Sequence, residues 1–249
     1  MTDIAGQAVI VTGANGGLGR QWVAQALVRG AAKVYATDVT PGTWDDARVT
    51  PLVLDVTREE TIDAVVAAAS DATILINNAG IALRDPIMTV EDAKLRHVFD
   101  VNFFGTVTVT RRLAPVIVAN GGGAILNVIS LLSWLSLPAA YSAAKAALWS
   151  VTNAFRLELA PHGVDLVALH MGYTATPMTE ALNVVKNDPA DIVRAGLDGI
   201  QDGSLEVLAD QWSVEVKAAL AGPVQDLYPQ LSGAAYPFRM VPIAAAPVQ

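Results

Sequence analysis

The chain has 249 residues, a formal net charge of −8 and a pI near 4.8, and this acidic balance argues against a nucleic-acid partner. It contains no cysteine, which excludes disulfides and thiolate metal sites, and the histidines at positions 97, 162 and 170 lack ligand spacing, so we expect no metal. With 53% hydrophobic and 16% charged residues, we predict a single domain, residues 1–249, with apolar surface buried in a homo-oligomer.

The beginning of the chain, Met1-Thr2-Asp3, has neither the basic start nor the long apolar region of a signal peptide. The most apolar stretch, residues 124–140, is interrupted by Asn127, by serines and by Pro138, and it falls short of the ~20 apolar residues that a membrane span needs. We therefore expect a cytoplasmic protein without a membrane partner.

Residues 8–12 form a short apolar run without polar alternation, which predicts a strand buried in a parallel sheet. A glycine-dense turn follows, and residues 21–29 predict a helix. Such a turn lets the backbone approach a pyrophosphate and points the helix N-terminus at its charge, although a plain strand-to-helix turn is the alternative. The candidate cofactor-binding residues here are Gly13, Asn15, Gly17, Leu18 and Gly19.

The second predicted strand, residues 33–37, ends at Asp38. An acid at this distance from the glycines can bind a ribose 2′-hydroxyl and repels a 2′-phosphate, and Asn15 adds no positive charge to the turn. We therefore expect NAD (NADH) as the cofactor and consider NADP less favourable. The alternative is that Asp38 is an ordinary turn residue.

Three further elements continue the pattern. The third strand, residues 50–54, ends at Asp55 and Val56, which we predict to contact adenine; the alternative is that Asp55 only begins the next helix, where Thr57 and Glu60 have the spacing of a capping box. The fourth strand, 73–76, precedes a turn suited to packing against a cofactor, with candidate residues Asn78, Ala79 and Gly80.

Residues 91–119 predict one long helix or two merged helices. Asn102 lies inside it between apolar neighbours, so its amide needs a buried hydrogen-bond partner or has a role in a site. The fifth strand, 123–129, is followed by Ser130, while Ser133 and Ser136 recur at helical spacing and are typical of residues that satisfy loop backbone.

A helix predicted at 141–162 begins with Tyr141 and Lys145, four residues apart and therefore on one face. A neighbouring ammonium favours the phenolate and lowers the phenol pKa, so Tyr141 can exchange a proton with an alcohol or a carbonyl. The alternative is that Tyr141 packs sideways and Lys145 reaches water.

The sixth strand, 164–169, leads into residues 171–178. Beyond it the polar segment 173–203 predicts a mobile substrate flap or, alternatively, a surface helix pair. Residues 205–208 and 212–220 predict a seventh strand and a late helix. The proline-containing end of the chain, residues 228–249, predicts an extended tail.

In this order the motifs resemble the short-chain dehydrogenase/reductase family, in its compact single-domain branch, over roughly residues 4–210. The motifs are the turn Thr12-Gly13-x-x-x-Gly17-x-Gly19, the run 77–80, Asn102, Ser130 and Tyr141-x-x-x-Lys145. The resemblance and the strand count together predict an α/β, doubly wound Rossmann fold: a parallel sheet of about seven strands with helices on both faces. The resemblance also implies a tetramer or dimer that packs the helices near 91–119 and 141–160.

The resemblance implies a role for each matching residue. Tyr141 would be the acid/base, Ser130 would hold the substrate oxygen, and Lys145 would lower the phenol pKa and bind the nicotinamide ribose. Asn102 would hold a water in a proton relay. The nicotinamide would be contacted by residues of the loop after the sixth strand, namely Gly172, Thr174 and Thr176.

Two positions depart from the family pattern. Met171 stands where the family usually has proline, and Ser130 precedes Tyr141 by eleven residues, two fewer than usual. Ser133 is the alternative if Ser130 is misplaced.

The predicted function is NAD(H)-dependent interconversion of a hydrophobic secondary alcohol and its ketone. Besides Ser130 and Tyr141, the mostly apolar candidate substrate residues are Ile81, Leu83, Leu132, Pro138, Tyr173 and Met178. Another NAD-dependent reaction at the same site, such as diol dehydrogenation or imine reduction, is one alternative. A non-catalytic nucleotide-binding or redox-sensing module is the other.

Overall fold

The computed structural model describes residues 1–137 and 139–232. Seven strands form one sheet in the order β3-β2-β1-β4-β5-β6-β7, and every neighbouring pair is parallel. The strands are β1 Ala8–Thr12, β2 Lys33–Asp38, β3 Val49–Val53, β4 Ile74–Asn77, β5 Gly123–Val128, β6 Val164–His170 and β7 Glu206–Leu208. The predicted doubly wound Rossmann fold is confirmed.

Helices cover both faces of the sheet. They are α1 Gly17–Val28, α2 Glu59–Ala68, α3 Asp92–Phe99, α4 Thr106–Ala119, α5 Ala140–Leu159, α6 Pro189–Asp202, α7 Gln211–Ala219 and α8 Val224–Leu227. Because strand side chains alternate between faces, Val9 packs with α1 and α6, whereas Ile10 packs with α2, α4 and α5. Among the described residues, no helix is long and apolar enough to cross a bilayer.

The strand order places the ligand-binding crevice. β1 lies between β2 and β4. The strands β1 to β3 extend the sheet to one side and β4 to β7 extend it to the other, so the strand order reverses between β1 and β4. Open α/β sheets bind ligands beyond the carboxyl ends of their strands at such a reversal. The turns after β1 and β4 meet there, and they are the glycine turn and the 78–80 turn predicted from the sequence.

The predicted helix over 91–119 is continuous but not uniform. A π-helical segment, Asp100–Gly105, joins α3 to α4 and contains Asn102. π-helical turns are rare and are frequently found at functional sites, because the extra residue in the turn redirects a side chain.

The predicted capping box at Thr57 and Glu60 is wrong. Helix α2 begins at Glu59 with Arg58 as its N-cap residue and no side-chain cap. The Thr57 hydroxyl instead donates to Asp55 Oδ1 at 2.6 Å, and Glu60 accepts from the Arg58 guanidinium. The nearby carboxylate and guanidinium therefore outcompete the reciprocal cap.

The segment predicted as a flap, 173–203, contains helix α6, which buries Ile192, Val193 and Leu197 against the sheet and α1. The part that precedes α6 is tied down by a bridge between Thr174 and Asn187. Of the predicted tail, only residues 228–232 are described; Tyr228 accepts a hydrogen bond from the Ser136 amide at 2.8 Å.

Candidate active site

Two glycines of the turn, Gly13 and Gly19, have no room for a side chain. Gly13 has a φ of +65°, and a Cβ there would lie 2.9 Å from the Ala79 Cα. A Cβ on Gly19 would lie 2.1 Å from the Gly13 carbonyl oxygen. Helix α1 begins at Gly17 without a side-chain cap, so its first amides have no side-chain acceptor and Leu18 belongs to the helix's first turn. This is the arrangement that binds a pyrophosphate.

The turn after β4 is fastened to this glycine turn. Thr12 Oγ1 accepts from the amides of Asn78 at 3.0 Å and Ala79 at 2.9 Å. The Asn78 side chain donates to the carbonyls of Thr12 and Gly13, at 2.9 and 3.0 Å. The Asn78 amide is therefore engaged within the protein, and it shapes the crevice by holding the two turns together.

Asp38 lies at the end of β2, beside the glycine turn. Its two carboxylate oxygens accept from the amides of Asn15 at 2.9 Å and Val39 at 2.8 Å. The Asn15 side chain donates to the Thr40 carbonyl at 2.6 Å, but its Oδ1 is buried without a hydrogen-bond partner. A buried unpaired acceptor next to a carboxylate is a position where a ligand hydroxyl can bind.

Asp55 accepts hydrogen bonds from a residue of its own turn. Its carboxylate accepts from both the amide and the hydroxyl of Thr57, at 2.9 and 2.6 Å, and the hydroxyl hydrogen bond is the main reason that its pKa is lowered. Asp55 and the buried Val56 follow β3 at the same end of the sheet as the glycine turn. The alternative interpretation of Asp55, as part of a helix start, matches these contacts.

Ser130 follows β5 in a strained conformation. Its φ of 139° and ψ of 153° fall in a region that is essentially reserved for glycine, and it is the only non-glycine residue with positive φ among those described. Its Oγ accepts from the Leu132 amide at 3.1 Å and lies 3.4 Å from the Met171 carbonyl oxygen. Strain of this kind costs about 1–3 kcal/mol and clusters at active sites.

Tyr141 and Lys145 lie on the first turns of α5. The Lys145 ammonium is buried, donates to the Val128 carbonyl at 2.9 Å and lies 5.6 Å from the centre of the Tyr141 ring. Burial raises the pKa of Tyr141 to about 12, although hydrogen bonding with Ser130 opposes this, and burial lowers the pKa of Lys145 to about 8. The lowered phenol pKa that the sequence predicted is therefore not found, because burial outweighs the hydrogen bond with Ser130.

Asn102 meets Lys145 around Gly80. The buried Asn102 amide donates to the carbonyls of Ile81 at 2.9 Å and Val98 at 3.0 Å, while its Oδ1 has no hydrogen-bond partner among the described residues. A Cβ on Gly80 would lie 2.7 Å from that oxygen and 3.8 Å from Lys145 Nζ. The Asn102 oxygen and the Lys145 ammonium therefore both lie close to Gly80, where a side chain would crowd the Asn102 oxygen.

The loop after β6 is held by Asp210, a residue that the sequence did not single out. Its Oδ2 accepts from the Gly172 amide at 2.6 Å and from the Asn187 side chain at 2.5 Å, while its Oδ1 caps α7. Thr176 lies over the glycine turn, since a Cβ on Gly17 would lie 2.8 Å from its Cγ2. An aspartate before a helix is a visible capping signal, but its contact across the fold is not.

The predicted substrate residues fall into two groups. Leu132 and Tyr173 pack in one apolar cluster with Trp134, Trp149 and Trp212, and burial raises the pKa of Tyr173. Ile81 and Leu83 pack in another cluster with Val98. Met178 is 44% exposed, and its carbonyl accepts from Arg84 at 2.7 Å. Pro138 lies outside the described residues.

The geometry of the crevice beyond the strand ends suits a dinucleotide. The glycines that leave no room for a Cβ, the uncapped start of α1 and the unpaired oxygens of Asn15 and Asn102 lie along one edge of the sheet. Together with Ser130, Tyr141 and Lys145 beyond the same strand ends, they define a nucleotide-dependent oxidoreductase of Rossmann fold.

Comparison with known proteins gives the family. Residues 7–187 match the model of the short chain dehydrogenase family. The putative oxidoreductase SadH of Mycobacterium tuberculosis is 32% identical over 205 residues, which cover 76% of this chain and 74% of that protein. The chain belongs to the short chain dehydrogenase family.

Two solved structures are also similar. A short chain dehydrogenase from Burkholderia cenocepacia in complex with NADP is 36% identical with a TM-score of 0.86, over 92% of this chain and 98% of that one. The 3-ketoacyl-(acyl-carrier-protein) reductase of Brucella melitensis complexed with NADH is 27% identical with a TM-score of 0.76, over 82% and 95%. The family therefore includes proteins whose structures hold either nucleotide.

Proposed function

We propose that the protein interconverts a hydrophobic secondary alcohol and its ketone with NAD(H). The observation that carries this proposal is the group formed by buried Ser130, half-buried Tyr141 and buried Lys145 beside a dinucleotide crevice. In this role the Ser130 hydroxyl binds the substrate oxygen, and the bound nicotinamide donates or accepts the hydride.

Tyr141 moves the proton in this mechanism. With a pKa of about 12, its phenol is protonated at neutral pH, so it can donate a proton to the oxygen of a ketone during reduction. In the oxidation of an alcohol, which is the reverse step, the phenolate form of the same group takes the hydroxyl proton and becomes the neutral phenol. Lys145, with a pKa of about 8, remains mostly charged at pH 7 and stabilises the negative charge that develops on the phenol. Asn102 Oδ1 accepts a hydrogen bond from a water molecule, and this water belongs to a proton relay that connects Lys145 to solvent.

The substrate class is inferred from the surroundings of the site. Leu132 and Tyr173 belong to an apolar cluster, and Ile81 and Leu83 to another, both close to α5. The similar reductase from Brucella melitensis is named for a 3-ketoacyl substrate, which is also a ketone on an apolar chain. The test is NADH consumption with a panel of hydrophobic ketones, with polyhydroxylated ketones as controls; faster turnover of the polyhydroxylated compounds would overturn the substrate class.

The preference for NAD(H) depends on Asp38. Asp38→Ala should weaken NADH binding about tenfold, because it removes a hydrogen bond from the ribose hydroxyl to a charged group, and it should strengthen NADPH binding by relieving repulsion. Fluorescence titration of both nucleotides measures this. Asp45→Asn removes a charge from the same exposed loop without touching Asn15 and should change neither affinity.

Equal affinity of the unchanged protein for NADH and NADPH would contradict this assignment. The NADP complex of the similar Burkholderia cenocepacia structure makes NADP(H) the alternative cofactor. Arg20, whose guanidinium lies 4.8 Å from the centre of the Trp44 ring, is the cation that would then bind the 2′-phosphate.

We also propose that the protein is a homo-oligomer through the face formed by α4 and α5. A groove on this face is lined by Ala114, Val118, Phe155 and Leu159, and Leu157 on α5 is 80% exposed. Light scattering should give a multiple of the 26.0 kDa chain mass. Leu157→Glu should lower the measured mass, and a monomer in the unchanged protein at micromolar concentration would refute the proposal.

A further inference from the structure

The strained turn at Ser130 is fixed through its carbonyl group. That oxygen accepts from the Ser133 amide at 3.1 Å and from the Ser133 hydroxyl at 2.9 Å, and it lies 3.1 Å from His170 Nδ1. A carbonyl with three close polar partners is held more firmly than one in an ordinary turn. Because the Ser130 backbone occupies a conformation that side chains rarely adopt, these contacts decide where its hydroxyl points.

His170 is the last residue of β6 and is completely buried. Its ring stacks on Trp134, with 3.8 Å between ring centres and 12° between planes. Burial lowers the pKa of His170 to about 3, the hydrogen bond to Ser130 opposes this, and the charges of Lys217 and Arg156 add to it. The imidazole is therefore neutral. Because a carbonyl oxygen can only accept, we assign the hydrogen to Nδ1, the nitrogen that lies 3.1 Å from the Ser130 carbonyl oxygen.

The other nitrogen of the His170 ring faces the carboxylate of Glu206. His170 Nε2 lies 3.4 Å from Glu206 Oε1, which also accepts from the Trp149 indole at 3.3 Å, and the Glu206 carboxylate pairs with Lys217. With the hydrogen on Nδ1, Nε2 makes no hydrogen bond. Trp134 and the tightly packed surroundings therefore fix the plane of the imidazole, and the hydrogen bond to Ser130 is the contact that it makes with the site.

A hydrolytic triad does not explain this cluster, although Ser133, His170 and Glu206 are residue types that such triads use. Ser133 is buried, and its hydroxyl donates to the Ser130 carbonyl; it also lies 3.3 Å from His170 Nδ1, but a nitrogen that carries a hydrogen cannot take the hydroxyl proton. Its oxygen has no access to a substrate.

We propose that His170 is a positioning residue that acts through Ser130. Its Nδ1–H holds the Ser130 carbonyl, and this contact directs the Ser130 hydroxyl towards the Tyr141 phenol. The inference rests on the proposed function, in which Ser130 binds the substrate oxygen. It extends the active site to a buried side chain on β6 that does not touch substrate or nucleotide.

Two substitutions of His170 test separately the effect of its N–H donor and the effect of its stacked ring. His170→Asn keeps an N–H close to the position of Nδ1 and loses the stacking on Trp134, whereas His170→Phe keeps a stacked ring and loses the donor. His170→Phe should lower kcat about tenfold, the effect of one hydrogen bond, and His170→Asn should lower it less than about threefold. NADH affinity should be unchanged in both. A larger loss for asparagine than for phenylalanine would overturn the proposal.

A double-mutant cycle tests whether His170 acts through Ser130. In the Ser130→Ala background, His170→Phe should cause no further loss of kcat; an equal loss in both backgrounds would overturn the proposal. If the phenylalanine variant does not fold, His170→Leu, an apolar residue of similar volume that also lacks the N–H donor, replaces it in the cycle. If Ser130→Ala leaves kcat unchanged, the proposed function fails. If only the His170 effect is missing, this inference alone fails.

Discussion

Tyr141→Phe is expected to lower kcat for ketone reduction by about 10³-fold, within the range that general acid catalysis contributes. The substitution removes only the phenolic hydroxyl, so the fold and the ring contact with Lys145 remain. NADH affinity should change less than about tenfold, the value of one hydrogen bond. Steady-state kinetics together with NADH titration measure both quantities. A variant that keeps more than a tenth of the activity would show that another group donates the proton.

Tyr173→Phe is the matched control, because it removes a second half-buried phenol, in the apolar cluster beside the site, and should leave kcat within about threefold. The pH dependence gives an independent check. Since the Tyr141 phenol, with a pKa of about 12, stays protonated, the reduction rate should be flat below about pH 7. It should then fall as Lys145 loses its charge through its pKa of about 8. A fall on the acid side of pH 7 would contradict this assignment.

Gly19→Ala is expected to have the largest effect on the nucleotide site. The added Cβ would lie 2.1 Å from the Gly13 carbonyl oxygen and 2.7 Å from the Ala14 Cα, and backbone atoms cannot move aside as a flexible side chain can. The turn and the start of α1 must separate, which should lower the free energy of unfolding by about 1–3 kcal/mol. NADH affinity should fall at least about tenfold, because the amides that face the pyrophosphate are displaced.

Gly16→Ala in the same turn is the control. Its Cβ would meet the Gly13 carbonyl oxygen at 3.5 Å, an ordinary contact, and its φ of −70° suits any residue. Urea unfolding and NADH titration of the two variants should therefore differ clearly. Equal effects at both positions would mean that the close packing of Gly19 does not determine the geometry of the turn.

Much of the fold could be predicted from the sequence because its signals are local. Buried parallel strands read as short apolar runs, so the strands were placed to within about one residue at most ends, as β6 and β7 show. The capping box at Thr57 was wrong because Asp55 offered a stronger acceptor to the same hydroxyl. The π-helical turn at Asn102 gave only an indirect signal, an amide among apolar neighbours.

The chemistry of the site was harder to predict, because it depends on contacts between distant segments. The lowered phenol pKa followed from the spacing of Tyr141 and Lys145, but burial, which spacing does not report, raises it instead. Asp210 and His170 reach Gly172 and Ser130 across 38 and 40 residues of sequence. The hydrophobic periodicity of a sequence does not predict a contact between such distant residues. A histidine at the end of a strand gives no sign of which carbonyl it will face.

The central claim is that the chain catalyses NAD(H)-dependent ketone reduction. NADH absorbance recorded with a panel of hydrophobic ketones, with secondary alcohols and NAD for the reverse reaction and with NADP(H) in parallel, tests it most directly. NADH consumption should require both protein and ketone, and it should be faster than NADPH consumption. NADH binding without turnover of any ketone, alcohol, diol or imine would contradict it, and the protein would then be a nucleotide-binding module.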